Sequence, residues 1–265
     1  MSEGKKEILL GDCLELMKDI PNGSIDMILA DLPYGTTACK WDTIIPFDKL
    51  WEQYERIIKP NGAIVLFGSE PFSSLLRCSN LKSFKYDWIW DKQQGSAFTL
   101  CKIQPLKSHE IISVFGIGKL NYYPQMQKRE KPIDSRGWKQ NKRNSENGNY
   151  ASKDNSIAQR VYDEKYPLSI ITYSRSNGEC NNLNRVHPTQ KPVALFEYLI
   201  RTYTNENDLV LDNTAGSGTT AIACLNTNRQ FIVMEKEQKY YDIILKRVGD
   251  FNKNFKQKTL FGNGM

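Results

Sequence analysis

One stretch of the sequence constrains the fold more than any other, because an apolar strand, a glycine-containing turn, a helix and a second apolar strand follow one another within it. The first predicted strand is Leu209-Val210-Leu211, and the second is Phe231–Met234. Two consecutive strands that a helix connects usually lie parallel in one sheet. The stretch therefore predicts an open α/β sheet.

The first part of the 265-residue chain repeats this alternation of short apolar runs and amphipathic stretches, which is the pattern of βα units. Continuous apolar runs of this kind are typical of buried parallel strands. The predicted strands are Glu7–Leu10, Ile25–Ala30, Ala63–Phe67, Tyr86–Trp90 and Ile111–Phe115, and the predicted helices are Cys13–Asp19 and Phe47–Ile58. A further amphipathic helix is predicted after Pro192.

The turn after Leu211 predicts a site for a nucleoside-like cofactor. In open α/β sheets, ligands bind at the carboxyl ends of strands, where a glycine-rich turn such as Gly216-Ser217-Gly218 lets them approach the backbone and a helix N-terminus. Glu235 follows the next strand, where an acid can hold a pair of ribose hydroxyls. The turn is neither GxGxxG nor a P-loop, which disfavours dehydrogenases and nucleotide triphosphatases. The alternative is a tight turn whose glycines serve only packing.

A second motif, Asp31-Leu32-Pro33-Tyr34, directly follows the predicted strand Ile25–Ala30. It suits chemistry on an exocyclic amino group, because the Asp31 carboxylate and the Leu32 carbonyl can accept the two N–H bonds of such a group. These hydrogen bonds make the nitrogen less planar, so that its lone pair can attack, while Tyr34 can stack on the ring that carries it. The alternative is a helix-capping aspartate in a loop that contains proline.

The excess positive charge lies in one central region. The whole chain has a net charge of +6, and residues 119–185 hold 13 Lys and Arg against 7 Asp and Glu, so the rest of the chain is balanced. Aromatic residues, among them Trp138 and Tyr150, are interleaved with these charges. Such a mixture suits a surface that grips phosphates and stacks on bases. A solvated, lysine-rich insertion is the alternative.

Composition argues against several other classes of protein. The six cysteines are scattered without a CxxC pair, and there are only two histidines, so we expect reduced thiols and no metal site. No stretch approaches the roughly 20 apolar residues of a membrane span, and the first ten residues lack the apolar run of a signal peptide. The sequence therefore predicts a cytoplasmic location and no contact with a membrane.

Considered together, the two motifs give the chain a resemblance to the amino-group DNA methyltransferases that use S-adenosylmethionine. Asp31–Tyr34 resembles the DPPY-type catalytic motif of that family, and Asp212–Thr219 resembles its FxGxG-type cofactor motif. The catalytic motif comes first, a basic region follows and the cofactor motif comes last, which resembles the circularly permuted β group. Further matches are Gly11-Asp12-Cys13, Trp90-Asp91-Lys92 and His187-Pro188-Thr189-Gln190-Lys191-Pro192.

The resemblance implies a Rossmann-like core with a mostly parallel, seven-stranded sheet that is flanked by helices. It also implies three parts of the chain. Residues 1–115 would form the catalytic half of the core, residues 116–186 the target-recognition region, and residues 187–265 the cofactor-binding half. The partner would be double-stranded DNA, bound through the basic region 119–185. Relatives of this group are often dimers, which leaves a homodimer as an option.

The resemblance further implies S-adenosylmethionine as cofactor and a role for each motif residue. Asp31, Leu32, Pro33 and Tyr34 would be the catalytic residues. Asp12, with Cys13 beside it, would contact the adenosine, Glu235 would hold the ribose hydroxyls, and Lys191 would close the pocket on the methionine side. The residues around the methionine part would be Asp212, Asn213, Ala215, Gly216, Ser217, Gly218 and Thr219.

The reaction implied is methylation of adenine N6, because an acid that opens the catalytic motif resembles the adenine enzymes. Cytosine N4 is the alternative within the family, and a catalytically inactive DNA-binding regulator or a methyltransferase of RNA or protein are alternatives outside it. The motifs depart from the family at two places. Leu32 stands where Pro is common but still supplies a carbonyl, and Asn213-Thr214-Ala215 replaces a Pro-Phe pair whose aromatic ring contacts the cofactor.

Overall fold

The computed structural model describes residues 5–36, 42–96, 98–134, 161–174 and 190–261, with side chains described up to residue 253. Within these residues, one large sheet has the strand order β1-β10-β9-β2-β3-β5-β4-β8. Its strands are β1 (Lys6–Leu10), β2 (Ile25–Ala30), β3 (Ile58–Gly68), β4 (Phe84–Ser96), β5 (Lys107–Phe115), β8 (Ile170–Thr172), β9 (Leu209–Asp212) and β10 (Gln230–Glu235).

The two strands that carry the predicted motifs are neighbours at the centre of this sheet. β2 pairs with β9 in parallel, with Met27 opposite Val210 and Ile28 opposite Leu211. The pairs β1/β10, β10/β9 and β2/β3 are also parallel. The carboxyl ends of β2, β9 and β10 therefore meet at one edge, where a ligand of an open α/β sheet binds.

Helices cover both faces of the sheet, and the strand residues alternate between the two layers as the period of two requires. Met27 and Leu29 belong to the core beneath one helix layer, whereas Ile28 and Ala30 belong to the opposite core. The helices of the first layer are α4 (Val193–Tyr203), α5 (Thr219–Asn226) and α6 (Gln238–Phe261). Those of the second are α1 (Cys13–Leu16), α2 (Phe47–Ile57) and α3 (Phe72–Ser79). None of the helices described has the length and hydropathy that a membrane span requires.

The mixed α/β fold with a large, mostly parallel sheet is confirmed, but the described sheet has eight strands where seven were expected. The additional strand is β8, which forms the edge of the sheet and pairs in parallel with β4. It is held there by the backbone N–H of Tyr173, which donates to Asp91 O at 3.2 Å, and by Trp90 Nε1, which donates to Tyr173 O at 2.8 Å. A three-residue strand inside a polar region has too short a pattern to be predicted from periodicity.

The described residues divide into two compact units. One comprises the chain up to Tyr123 and from Ser169 onward, and the other comprises Pro124–Leu168. In the smaller unit, β6 (Gln127–Asp134) and β7 (Val161–Lys165) form an antiparallel pair. The boundaries expected at residues 116 and 186 stay a prediction, and residues 135–160 and 175–189 of the basic region lie outside the described residues.

Gly218 provides a test of how the turn before α5 depends on glycine. Its φ is +78°, and a Cβ added there would lie 2.9 Å from Ile244 Cγ2 of α6. We expect Gly218→Ala to lower the free energy of unfolding by about 1 to 3 kcal/mol, because an L side chain is strained in that conformation. Urea unfolding of the purified variant measures this loss.

Gly249→Ala is the matched control, because Gly249 lies within α6 and an added Cβ would have no atom within 4 Å. It should leave stability unchanged or raise it by about 0.5 to 1 kcal/mol. Equal effects of the two substitutions would contradict the account of Gly218.

Candidate active site

A cavity of about 420 Å³ opens at the carboxyl ends of β2, β9 and β10. Every predicted site residue except Gly218 lines it, and Gly218 is the N-cap of α5 directly beside it. These lining residues are Asp12, Cys13, Asp31, Leu32, Pro33, Tyr34, Lys191, Asp212, Asn213, Ala215, Gly216, Ser217, Thr219 and Glu235. Of the HPTQKP motif, residues 187–189 lie outside the described residues.

The glycine turn is folded around the carboxylate of Glu235. The backbone N–H of Gly216 donates to Glu235 Oε2 at 2.8 Å, and that of Glu237 donates to Oε1 at 2.8 Å. Gly216 itself has a φ of +54°, which favours glycine. Burial raises the pKa of Glu235, while the backbone N–H groups oppose this rise. A carboxylate has about four acceptor sites and backbone N–H groups use only part of them, so Glu235 can also accept a hydroxyl donor.

Asp212, the last residue of β9, stabilises the start of the turn by accepting two hydrogen bonds. Its Oδ1 accepts the backbone N–H of Thr214 at 3.0 Å, and its Oδ2 accepts the hydroxyl of Thr220. The residue is 3 % exposed. Burial raises the pKa of Asp212 to about 7, which the hydrogen bonds from Thr220 and Thr214 only partly offset.

The two residues that replace the family's Pro-Phe pair bind other parts of the site. Asn213 Oδ1 accepts the hydroxyl of Tyr54 of α2 at 2.6 Å, and Asn213 Nδ2 lies 3.5 Å from Cys13 Sγ. Thr214 Oγ1 donates to the carbonyl of Asp31 at 3.2 Å. The cofactor turn and the catalytic motif are therefore joined by a direct hydrogen bond.

Asp12 caps α1, because its Oδ1 accepts the backbone N–H of Leu14 at 3.0 Å. Its Oδ2 lies 3.3 Å from Lys236 Nζ at the surface. The preceding residue, Gly11, donates its N–H to Glu235 O at 2.9 Å, which brings the start of α1 to the end of β10. Burial raises the pKa of the Cys13 thiol, so Cys13 remains a neutral lining group.

The Asp31 carboxylate has a hydrogen-bond donor at each oxygen. Tyr34 donates its hydroxyl to Oδ1 at 2.6 Å, and Lys191 Nζ contacts Oδ2. Burial raises the pKa of Asp31, Lys191 lowers it and the nearby Glu110 raises it further. The Tyr34 ring stacks on Phe72, with centroids 4.9 Å apart.

Sequence reasoning missed Asp42, which anchors the loop after the catalytic motif. Its two carboxylate oxygens accept the backbone N–H groups of Gly35 and Thr36, each at 2.9 Å. An acid that follows a Pro-Tyr-Gly turn by several residues is a weak signal, because any polar loop contains such residues. These two hydrogen bonds are visible only in the structure.

It also missed Glu110, and it gave no role to Lys92, although Trp90-Asp91-Lys92 was named as a match to the family. Glu110 Oε2 lies 3.5 Å from Lys191 Nζ, and Glu110 Oε1 lies 3.4 Å from Lys92 Nζ. Lys191 Nζ also lies 5.4 Å from the centre of the Phe67 ring. Among the described residues, no group of three or more His, Cys, Asp or Glu is arranged to hold a metal ion.

Comparison with solved structures identifies the fold. The crystal structure of the M1.HpyAVI–SAM complex has a TM-score of 0.60 and 25% identity, and the match covers 91% of this chain and 98% of that one. The PvuII DNA methyltransferase, described as cytosine-N4-specific, has a TM-score of 0.63 at 18% identity, with 92% and 86% covered, which shows the shared fold alone. The fold is therefore that of a Rossmann-like methyltransferase.

The sequence comparisons give the family. Residues 25–246 match the N6_N4_Mtase family model, whose description is DNA methylase. The chain is also 27% identical over 270 residues to the Type II methyltransferase M.HinfI of Haemophilus influenzae, covering 93% of this chain and 69% of that protein. The chain belongs to the N6/N4 DNA methylase family, and its motif order is that of the β group.

Asp212 gives the site a predictable pH dependence. Its pKa rises from 3.8 to about 7 on folding, so the folded protein binds more protons than the unfolded chain between these values. The contribution of Asp212 to the free energy of unfolding should therefore fall as pH rises through this window, by roughly 1 to 4 kcal/mol, and level off above it.

Urea unfolding of the wild type and of Asp212→Asn between pH 5 and 8.5 measures this contribution as a difference. The wild type should lose stability relative to the variant as pH rises, because the amide that replaces the carboxyl group carries no charge at any pH in this range. A difference that is independent of pH would contradict the raised pKa.

Proposed function

We propose that this chain transfers a methyl group from S-adenosylmethionine to N6 of adenine in double-stranded DNA. Membership of the N6/N4 DNA methylase family supports DNA methylation. One observation carries the rest of the proposal: the Asp31 carboxylate lines the same cavity as Glu235 and the glycine turn, and the hydrogen bond from Thr214 to Asp31 O joins the two parts. A nucleoside cofactor and a target amino group can thus meet in one cavity.

The residues of the cavity fit S-adenosylmethionine. Its volume of about 420 Å³ lies in the range of small-ligand pockets. Glu235 is buried at the end of β10 with capacity for hydroxyl donors, which suits the ribose. The turn from Asp212 to Thr219 offers backbone groups to the methionine part, and Asp12 and Cys13 border the adenosine side. M1.HpyAVI was solved in complex with the same compound.

When bound, the cofactor supplies an electrophilic methyl group on its sulfonium. Asp31 would accept one N–H bond of the target amino group and the Leu32 carbonyl would accept the other, which would leave the nitrogen lone pair available for the transfer. The negative charge of Asp31 stabilises the positive charge that develops on the nitrogen. Its raised pKa also suits it to hold the proton that the product releases.

The target base must leave the duplex to reach this cavity, at a cost of a few kcal/mol for unstacking. Tyr34 supplies an aromatic surface at the cavity, and its ring is fixed by Phe72 and by the hydrogen bond to Asp31. We propose that residues 116–186 form the target-recognition region and that the basic region 119–185 binds the DNA backbone. In the described part, β6 contributes Lys128, Arg129 and Lys131 within eight residues.

Adenine is preferred over cytosine because Asp31 opens the catalytic motif, as in the adenine enzymes that the motif resembles. The cytosine-N4 label of the PvuII enzyme does not argue against this, because the likeness at 18% identity concerns the fold. The Type II name of M.HinfI supports the further proposal that this chain serves restriction-modification.

The deciding experiment incubates the protein with unmethylated, PCR-amplified genomic DNA and methyl-labelled S-adenosylmethionine. The DNA is then digested, and its nucleosides are identified by mass. Label in N6-methyladenine supports the proposal. Label in N4-methylcytosine overturns the choice of base, and DNA without label overturns the proposed function.

Asp31→Asn tests the acceptor role. The substitution keeps the shape of the side chain but removes its negative charge, so we expect kcat to fall by at least about 100-fold. Binding of S-adenosylmethionine, measured by calorimetry, should change little. Turnover within a factor of about three of the wild type would contradict the role of Asp31 as acceptor.

Glu235→Gln tests the ribose contact. Because a hydrogen bond to a charged acceptor is stronger than one to a neutral amide, we expect the Kd for S-adenosylmethionine to rise about tenfold. Glu15→Gln is the control, since Glu15 is exposed on α1 and pairs only with Lys18 in the contacts described. Equal affinities of both variants would show that Glu235 does not bind the cofactor.

A further inference from the structure

Four charged side chains of alternating sign form a row that leads from the catalytic motif into the protein. They are Asp31, Lys191, Glu110 and Lys92. The side chains of Lys191 and Lys92 are only 7% and 4% exposed, and that of Glu110 is 13% exposed. Buried ammonium groups require opposing carboxylates, and Asp31 and Glu110 together balance the two lysines.

In the conformation that the structure describes, the contacts of Asp31 in this row conflict with the proposed reaction. Asp31 must accept an N–H bond of the target, yet Tyr34 already donates to its Oδ1 and Lys191 lies on its Oδ2. The carboxylate keeps further acceptor sites, but an ammonium group in contact with Oδ2 competes with the target amino group for that oxygen. It would also repel the positive charge that develops on the attacking nitrogen.

Glu110 provides the alternative partner that Lys191 needs. Its Oε2 is 3.5 Å from Lys191 Nζ, so a small change in the lysine side chain brings the two into a close ion pair. Lys92 lies 3.4 Å from Glu110 Oε1, which keeps the Glu110 carboxylate in β5 from following Lys191 toward Asp31.

We propose that Glu110 is a positioning residue, which receives the Lys191 ammonium when the target base enters and so makes Asp31 Oδ2 accessible to the amino group. Between turnovers, when no target base is bound, Lys191 forms the ion pair with Asp31. The inference rests on the proposed function, because it takes Asp31 as the acceptor of the target N–H.

The first test is Glu110→Gln, which keeps the size of the side chain and removes its charge. With Lys191 held on Asp31, kcat should fall by about tenfold to 100-fold at saturating S-adenosylmethionine and DNA. The Kd for S-adenosylmethionine should stay within about twofold of the wild type, since Lys191 keeps its ion pair with Asp31 in this variant. Glu197→Gln is the matched control, because it also breaks an ion pair, that with Arg201 on α4, but outside the cavity.

A double-mutant cycle separates positioning from a merely structural role. In a Lys191→Met background there is no ammonium group for Glu110 to attract away from Asp31. Glu110→Gln should therefore cause no further loss of kcat, where kcat is normalised to the concentration of protein that binds the cofactor. An equal fold-loss in both backgrounds, or a kcat of Glu110→Gln within about twofold of the wild type, would overturn the proposal.

The pH profile gives an independent readout. The groups that face Asp31 are Lys191, Glu110 and Tyr34, with Asp212 also close enough to interact. Activity requires ionised Asp31, so kcat falls as pH drops through its pKa. Because the charge of Glu110 raises that pKa, Glu110→Gln should move the acidic limb to lower pH. An unmoved limb would contradict the coupling.

A structure of the wild type tests the proposal even if Glu110→Gln fails to fold. In a complex with S-adenosylhomocysteine and a duplex that carries a site mapped by the methylation experiment, Lys191 Nζ should be nearer to Glu110 than to Asp31. Lys191 still on Asp31 with the base in the cavity would refute the inference. Failure of the wild type to methylate DNA would instead refute the proposed function, and the inference with it.

Discussion

The site depends on the parallel pairing of β2 with β9. The sequence separates Asp31 from Asp212 by most of the chain, but the registration of Ile28 with Leu211 brings the ends of both strands to the same edge. From this pair the sheet continues through β10 on one side and through β3 on the other. The loops after β2 and β9 therefore diverge around one crevice, and the hydrogen bond from Thr214 to Asp31 O joins them.

Burial of acids is the cost of that arrangement. Asp31, Asp212 and Glu235 all have raised pKa values, and in each case loss of hydration is the largest cause. The hydrogen-bond donors differ: Glu235 has backbone N–H groups, Asp212 has a threonine hydroxyl and a backbone N–H, and Asp31 has a tyrosine hydroxyl and an ammonium group. Glu235 and Asp212 each accept a backbone N–H of the turn, so these acids shape it, whereas both donors to Asp31 are side chains.

Sequence reasoning identified the residues whose roles follow from local patterns, and it missed those whose roles come from pairing of distant strands. The strand Ile25–Ala30 and the turn at Gly216-Ser217-Gly218 were predicted because hydrophobic period and glycine spacing are local signals. Glu110 was not, because its importance comes from antiparallel pairing of β4 with β5, which sets Trp90 opposite Glu110 and brings Lys92 to the same row. No pattern along the chain marks one acid in a strand as the counter-ion of a lysine 81 positions away.

The polar replacement in the cofactor turn has a physical consequence of its own. An aromatic residue in place of Thr214 could contact a cofactor but could not donate to Asp31 O, so this chain exchanges an apolar contact for a direct link to the catalytic motif. Asn213 in turn joins the turn to Tyr54 of α2 inside the second core. Hydrogen bonds depend on direction more strongly than apolar contacts do. The hydrogen bond from Thr214 therefore ties the geometry of the turn to that of the Asp31 backbone.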